Sequence, residues 1–243
     1  KPVQWSFGAQ TALAEAEVEY KDVTDTAIFV KFKLESGPLA DQASLVIWTT
    51  TPWTLPANLA IALNERIQYI YGEFIDESQE THNLIIAEDL VENFIESTGL
   101  TLTKKIDTIQ GSEFKEQTTS HPFLPRQSPI IFADFVTTEA GTGAVHIAPG
   151  HGGDDYLAGQ AAGLPVLSPV DDLGNYTEEV GIDHLVGKHV LKSNNDIIDI
   201  LLEKKALIGR EEYKHSYPHC WRSKTPIIFR AVPQFFISIN SFR

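Results

Sequence analysis

Short apolar runs, closely spaced and broken by turn residues, limit this chain's fold more than any other feature. Strand-like runs fall at residues 28–34, 44–50, 59–63, 67–75, 100–109, 129–135 and 144–148, with a shorter apolar run at 83–87. Gly, Pro, Ser and Asp clusters such as Ser36-Gly-Pro38 punctuate them. Three segments carry helical periodicity. Residues 88–97 place Leu90, Val91, Phe94 and Ile95 on one face, with Gly99 beyond the end. Residues 151–162 open on Asp154 and Asp155, and residues 194–206 place Ile197, Ile198, Leu201 and Leu202 on one face behind a Ser193 or Asn194 cap. Strands outnumber helices and do not alternate with them regularly. The prediction is an α+β fold with a closed or strongly curved, β-barrel-like core carrying peripheral helices. Residues 12–20 suit a helix by propensity or a strand by their alternating end, residues 165–170 read as extended, and 171–175 as a turn. Residues 122–129 read as loop, and 213–230 as irregular and aromatic-rich.

With 243 residues the chain is long enough for one large domain or two small ones. A hydrophobic fraction of 42% and a charged fraction of 21% are those of an ordinary globular protein. No apolar run is long enough to span a membrane and no signal-peptide pattern is present. The single cysteine, Cys220, rules out an internal disulfide and fits a reducing, cytoplasmic setting. The chain begins at Lys1 and has no methionine, so we expect a piece of a longer protein or a processed form. Its net charge of −14 argues against a general nucleic-acid-binding surface. Residues 201–243 are the exception. They carry Lys204, Lys205, Arg210, Lys214, Arg222, Lys224, Arg230 and Arg243 against Glu203, Glu211 and Glu212, a local excess of +5.

Two polar stretches interrupt the apolar pattern. In residues 141–156, Gly-Thr-Gly-Ala-Val-His-Ile-Ala-Pro-Gly-His-Gly-Gly-Asp-Asp-Tyr, a glycine turn leads into a short strand carrying His146. Pro149-Gly150 ends that strand, and Asp154 and Asp155 follow at a helix start. Alone, this is equally a hairpin with a core histidine and two capping aspartates. In residues 49–58, Thr-Thr-Thr-Pro-Trp-Thr-Leu-Pro-Ala-Asn, two prolines stiffen a segment rich in uncharged hydrogen-bonding groups suited to a small polar ligand.

Together these stretches resemble the editing domain of isoleucyl-tRNA synthetases, the insertion in the class I catalytic domain. Residues 49–58 are similar to that family's threonine-rich peptide, and residues 141–156 to its second editing motif in bacterial form. The flanks agree: Ala-Leu-Ala-Glu-Ala-Glu-Val-Glu-Tyr at 12–20 and His-Cys-Trp-Arg-Ser-Lys-Thr-Pro at 219–226. Valyl and leucyl enzymes usually have Thr-Thr-Arg-Pro where this chain has Thr50-Thr51-Pro52, and usually lack a histidine at the position of His146. The resemblance covers residues 1–243 as one editing domain, with 1–20 and 215–243 as the segments leading from and to the catalytic domain. The nucleotide-binding motifs His-Ile-Gly-His and Lys-Met-Ser-Lys-Ser are absent, so aminoacylation by this fragment is not expected.

The resemblance implies hydrolysis of valine esterified to the 3′ end of tRNA(Ile), and of valyl-adenylate, while isoleucyl-tRNA(Ile) is spared. One methylene gives little discrimination in an apolar pocket, and isoleucine against valine in this family is the standard illustration. Asp155 matches the anchor for the substrate ammonium. His146 matches the position that crowds out isoleucine, a role we rank above that of general base. Thr49, Thr50, Thr51 and Asn58 match groups around the ester and adenosine. Gly143 belongs to the glycine turn at the substrate. Trp53 and Trp48 are candidates for pocket wall or adenine packing, Trp48 with core packing preferred. Asp154 reads as a cap and His151 as a turn residue. Editing needs no cofactor, whereas the parent's ligation of isoleucine uses ATP and Mg. The implied partners are tRNA(Ile) and the remainder of the synthetase.

Two rival readings exist. A metal-dependent hydrolase would use His146, His151, Asp154 and Asp155. A docking module would hold tRNA or the synthetase core without chemistry. Many relatives carry a Cys-x-x-Cys pair at Ser6 and Ala9, with its partner here reduced to Cys220 and Ser223. His215, His219 and Cys220 are at most three poorly spaced zinc ligands, so no metal is expected.

Overall fold

The structure, a computed structural model, describes residues 1–233 and 235; the end of the 215–243 flank lies outside the described residues. In chain order the strands are β1 (Pro2–Ser6), β2 (Thr11–Ala12), β3 (Val18–Lys33), β4 (Ser44–Thr49), β5 (Ala60–Leu63), β6 (Gln68–Ile75) and β7 (Thr81–Ala87). They continue with β8 (Thr101–Gln110), β9 (Thr118–Ser120), β10 (Gln127–Phe132), β11 (Val145–Ile147), β12 (Leu207–Cys220) and β13 (Ile228–Ala231). The helices are α1 (Val91–Thr98), α2 (Gly153–Ala161) and α3 (Asn194–Glu203).

The strands make three sheets. Six form the order β12-β3-β4-β7-β6-β8, four form β11-β5-β10-β9, and three form β13-β1-β2. The two larger sheets are tied at the ends of strands. Leu34, just past β3, bridges Thr119 of β9, and Ala87 at the end of β7 donates its N–H to Thr142 O at 2.9 Å. The result is the expected strand-dominated α+β core with peripheral helices. β5 reads Ala-Ile-Ala-Leu because it is buried on both faces, between β11 and β10. Phe32, Tyr69, Phe74, Phe94 and Phe114 lie in the core with almost no exposure. Burying each such ring contributes about 1.5–3 kcal/mol.

α1 presents Val91 and Phe94 to the core and ends at Gly99, whose φ of 72° gives the left-handed cap. Residues 12–20 form neither a helix nor one strand. β2 is followed by a 3-10 turn at Glu15–Glu17, and β3 starts at Val18. Of residues 165–170 only Val170 pairs, in a bridge to Tyr176.

The expected irregular segment at 213–230 is overturned. Residues 207–220 are one strand, paired antiparallel to β3 from Leu207↔Val30 to Cys220↔Val18. Tyr213, His215, Tyr217 and His219 recur every second residue, so their rings stack along one face at successive centroid separations of 5.7, 5.7 and 6.1 Å. Pro218 is tolerated because β12 is the edge of its sheet. This ladder crosses both flank boundaries, at residues 20 and 215. The flanks also meet in the small sheet, where β1 pairs with β13 from Pro2↔Ala231 to Trp5↔Ile228.

Candidate functional site

β4 ends at Thr49 where Pro52 and Pro56 force the chain into a 3-10 turn over Pro52–Ala57. Opposite it, the glycine turn at 141–144 feeds β11, and α2 begins six residues after β11 ends. Gly143 has φ of 76°, and a side chain there would strike the Ala87 Cβ at 2.4 Å, so the turn needs glycine twice over. These elements enclose a cavity of about 360 Å³. Thr49, Thr50, Thr51 and Thr54 line one side, and Gly143, His146, His151 and Asp155 another.

The threonine side is internally braced. Thr49 Oγ1 accepts from the Thr51 N–H at 3.1 Å and lies 3.3 Å from Thr51 Oγ1. Thr54 Oγ1 donates to Thr51 O at 2.9 Å and lies 3.0 Å from His146 Nε2. With its proton on Thr51 O, the Thr54 hydroxyl accepts from Nε2–H, which fixes the imidazole as the Nε2–H tautomer. His146 Nδ1 is sealed from solvent and has no partner among the described residues. Neither ring nitrogen is therefore free to take a proton from water. Burial, reinforced by His151, pushes the His146 pKa down to about 4, so the ring is neutral near pH 7.

His151 is likewise driven down to about 4 by burial. Its Nδ1–H donates to Phe229 O at 2.8 Å, and its ring meets the edge of Trp53 at 5.0 Å. Asp155, in the first turn of α2, behaves oppositely. Burial pushes its carboxyl up to about 6, against the lowering effect of the Ala148 N–H, which donates to Oδ2 at 2.8 Å. Gly152 makes room for it, since a side chain there would meet Asp155 Oδ1 at 2.6 Å. No lysine or arginine lines the cavity. At neutral pH it therefore holds one negative charge, that of Asp155, beside two neutral imidazoles and several hydroxyls.

The structure brings Thr49, Thr50, Thr51, Gly143, His146 and Asp155 to one cavity. It does not bring Asn58 there. That side chain is fully buried, with Nδ2 donating to Ala60 O at 2.8 Å and Oδ1 accepting from Ser128 Oγ at 2.6 Å. The tryptophans exchange places. Trp53 is buried at 4% exposure beneath the 3-10 turn and borders a separate cleft, whereas Trp48 lines the cavity, its Nε1–H donating to Glu211 Oε1 at 2.8 Å. Asp154 is exposed and stays outside the lining. Sequence reasoning missed Thr54, whose signal was its place in the same threonine stretch, and placed His151 as a mere turn residue.

Two of the imidazole nitrogens at the cavity are engaged by protein groups. Thr54 holds His146 Nε2, Phe229 O holds His151 Nδ1, and no three His, Cys, Asp or Glu side chains converge among the described residues. At the other end, His215 Nε2 lies 2.9 Å from Asp25 Oδ2 and His219 Nδ1 donates to Tyr217 O at 3.0 Å. Cys220 accepts there from the Ser223 N–H.

Comparison with known proteins follows the same lines. A family model described as tRNA synthetases class I (I, L, M and V) matches residues 1–243. The isoleucine–tRNA ligase of Desulforamulus reducens is 44% identical over 246 residues, covering 100% of this chain and 26% of that protein. That of Microcystis aeruginosa is 48% identical over 252 residues, with the same coverage. The crystal structure of GlLeuRS-CP1 superposes with a TM-score of 0.57 at 17% identity, covering 77% of this chain and 100% of that one. The chain thus spans about a quarter of the length of the curated relatives it matches.

Proposed function

The chain belongs to the class I tRNA synthetases of the isoleucine, leucine, methionine and valine group, and from that premise we propose that it is the editing hydrolase of an isoleucine–tRNA ligase. Its substrate is valine esterified to the 3′-terminal adenosine of tRNA(Ile), with valyl-adenylate as a second, smaller substrate. The observation that carries this is the cavity's charge: a single ionisable carboxylate, Asp155, among neutral groups. Such a site accepts one ammonium and disfavours a phosphate, so the aminoacyl ribose enters, the tRNA backbone stays outside, and valyl-adenylate, whose phosphate adjoins the carbonyl, is the poorer substrate.

Asp155 holds the α-ammonium and sets the ester against the threonine side. Thr49, Thr50 and Thr51 offer hydroxyls and backbone groups to the ester oxygens and the ribose. His146 acts as a wall. Its nitrogens are engaged or sealed, and a base with a pKa near 4 removes protons from water poorly at pH 7. The wall admits valine and excludes the extra methylene of isoleucine. Water, positioned by the neighbouring ribose hydroxyl, adds to the ester carbonyl; the acyl C–O bond to the ribose then breaks, one water proton going to the leaving ribose oxygen and the other to solvent as valine departs as its carboxylate. Asn58 and Trp53 support this site from outside it.

The ligation named for the relatives uses ATP and Mg; we assign neither, nor any metal, to ester hydrolysis. No helix among the described residues is long and apolar enough to cross a membrane. We place the reaction in the cytoplasm, where aminoacyl-tRNA is made and used. The remainder of the synthetase supplies most of the tRNA docking, since this chain carries a net charge of −14.

The test is deacylation of valyl- and isoleucyl-tRNA(Ile) by this chain, with and without a chelator. Selective loss of valine that survives the chelator is expected. Loss abolished by the chelator would favour the metal hydrolase, and tRNA binding without hydrolysis of either ester would favour a docking module.

A further inference from the structure

Two clefts adjoin the cavity. One, of about 190 Å³, shares Thr50 and Thr51 with it, and the other, of about 250 Å³, shares Trp48, Ala140 and Gly141. A polynucleotide whose terminal adenosine enters the cavity leaves its preceding nucleotide one backbone step outside, in one of the two. The first offers a base less ring surface: Trp53 is 4% and His219 7% exposed, and its one half-buried ring, Tyr217, is tied down by its hydroxyl, which donates to Ile227 O. In the second, Trp48 is half-buried and Tyr213 is 37% exposed, and the two rings stand edge to face at 4.9 Å and 84°. Phe29 and Phe94 form its buried floor.

The polar groups there are acceptors. Glu96, Glu139 and Glu211 line the cleft with Asn93. Glu211 Oε1 holds the Trp48 indole, and its other oxygen has no hydrogen-bond partner among the described residues. Three carboxylates repel a phosphate but accept from an exocyclic amine, as carboxylates do from cytosine N4. Aromatic faces beside such acceptors suit an amino-bearing nucleobase, and stacking needs only its π-face.

We propose that this cleft seats the nucleobase preceding the terminal adenosine, stacked on Tyr213 and bordered by Trp48, with its exocyclic amine toward the carboxylates. In the CCA end shared by tRNAs that base is cytosine. The inference rests on the editing reading above and adds to it a second subsite, which places the acceptor end across Gly141 rather than across Thr50.

The test compares valyl-tRNA(Ile) with valyl-adenosine, which has no preceding nucleotide, as substrates of the wild-type chain, Tyr213→Ala and Tyr213→Phe. For Tyr213→Ala we expect a KM for valyl-tRNA(Ile) raised about tenfold with kcat unchanged. Valyl-adenosine should be hydrolysed as by wild type, and Tyr213→Phe should restore the low KM. A tRNA with uridine at the penultimate position, which stacks but lacks the amine, should show a raised KM on the wild-type chain, and Tyr213→Ala should raise it further. Equal losses on both esters, or an unchanged KM for valyl-tRNA(Ile), would overturn the assignment. If the wild-type chain hydrolyses neither ester, the editing reading fails, and binding of the dinucleotide CpA against adenosine then decides the subsite. Tighter binding of CpA that Tyr213→Ala abolishes would uphold it, and equal binding would refute it.

Discussion

The two sides of the cavity are built on opposite plans. The threonine side is braced by hydrogen bonds among its own groups, with Asn58 buried behind it. Thr49 holds the Thr51 N–H, Thr54 holds Thr51 O, and Asn58 ties Ala60 to Ser128. On the other side Asp155 is held by one backbone N–H over a glycine, and burial has raised its pKa to about 6. The first side is a rigid frame; the second carries the charge. The difference teaches where function and stability separate. Changes on the charged side should alter catalysis with little loss of stability, and changes deep in the frame should do the reverse.

The largest expected effect is that of Asp155→Ala, which removes a charge-assisted contact and should lower kcat/KM for valyl-tRNA(Ile) about 100-fold. Asp155→Asn sharpens the point. In the folded chain this carboxyl keeps its proton up to about pH 6, above its value of 3.8 when unfolded. Its contribution to stability is therefore full below about pH 3.8, declines as pH rises toward 6, and is lost above that. Asn carries no charge to desolvate and still accepts from Ala148. At pH 7.5 the variant should melt roughly 2–4 °C higher than wild type, while at pH 4 the two should coincide. Lower stability of Asp155→Asn at pH 7.5 would break the contrast between the sides.

Next comes Asn58→Ala, which leaves the buried Ser128 hydroxyl without its acceptor. We expect a loss of about 1–3 kcal/mol in denaturant unfolding, with KM for valyl-tRNA(Ile) close to wild type in the folded chain. His146→Ala should change valine release by less than about tenfold yet expose the isoleucyl ester to hydrolysis, as expected of a wall that discriminates one methylene. A collapse of valine release with no isoleucine release would make His146 a base instead. The mildest perturbation is of pH alone. kcat/KM for the valyl ester should fall about tenfold per unit below pH 6, as Asp155 in the free chain takes up a proton. The kcat profile should break at lower pH, because the bound ammonium holds the carboxylate charged.

Both sides of the cavity were legible in the sequence as stretches, because turn glycines, prolines and clustered hydroxyls stand out against apolar runs. The direction in which each side chain turns was not. Trp48 is the fifth residue of β4 and reads as core, yet β4 brings it to the cavity, where Glu211 holds it from a strand 163 residues away. Trp53 reads as a ligand-facing ring, but the 3-10 turn set by Pro52 and Pro56 points it inward. Asn58 follows the same turn and is consumed by backbone and Ser128 partners that no local pattern announces. β12 was hidden differently. Its aromatic alternation from Tyr213 to His219 was present, but Pro218 and the polar Lys214 and Ser216 between argue against a strand unless it lies at an edge. Edge position follows from long-range pairing with β3 and not from the strand itself.

The central claim is that Asp155 binds the ammonium of the aminoacyl ester. It is tested most directly by comparing valyl-tRNA(Ile) with its α-hydroxy analogue, the 2-hydroxy-3-methylbutanoyl ester, on the wild-type chain and on Asp155→Asn. We expect the wild-type chain to prefer the amine about 100-fold in kcat/KM and Asp155→Asn to treat the two esters nearly alike. Equal hydrolysis of both esters by the wild-type chain, or a preference that survives in Asp155→Asn, would contradict it.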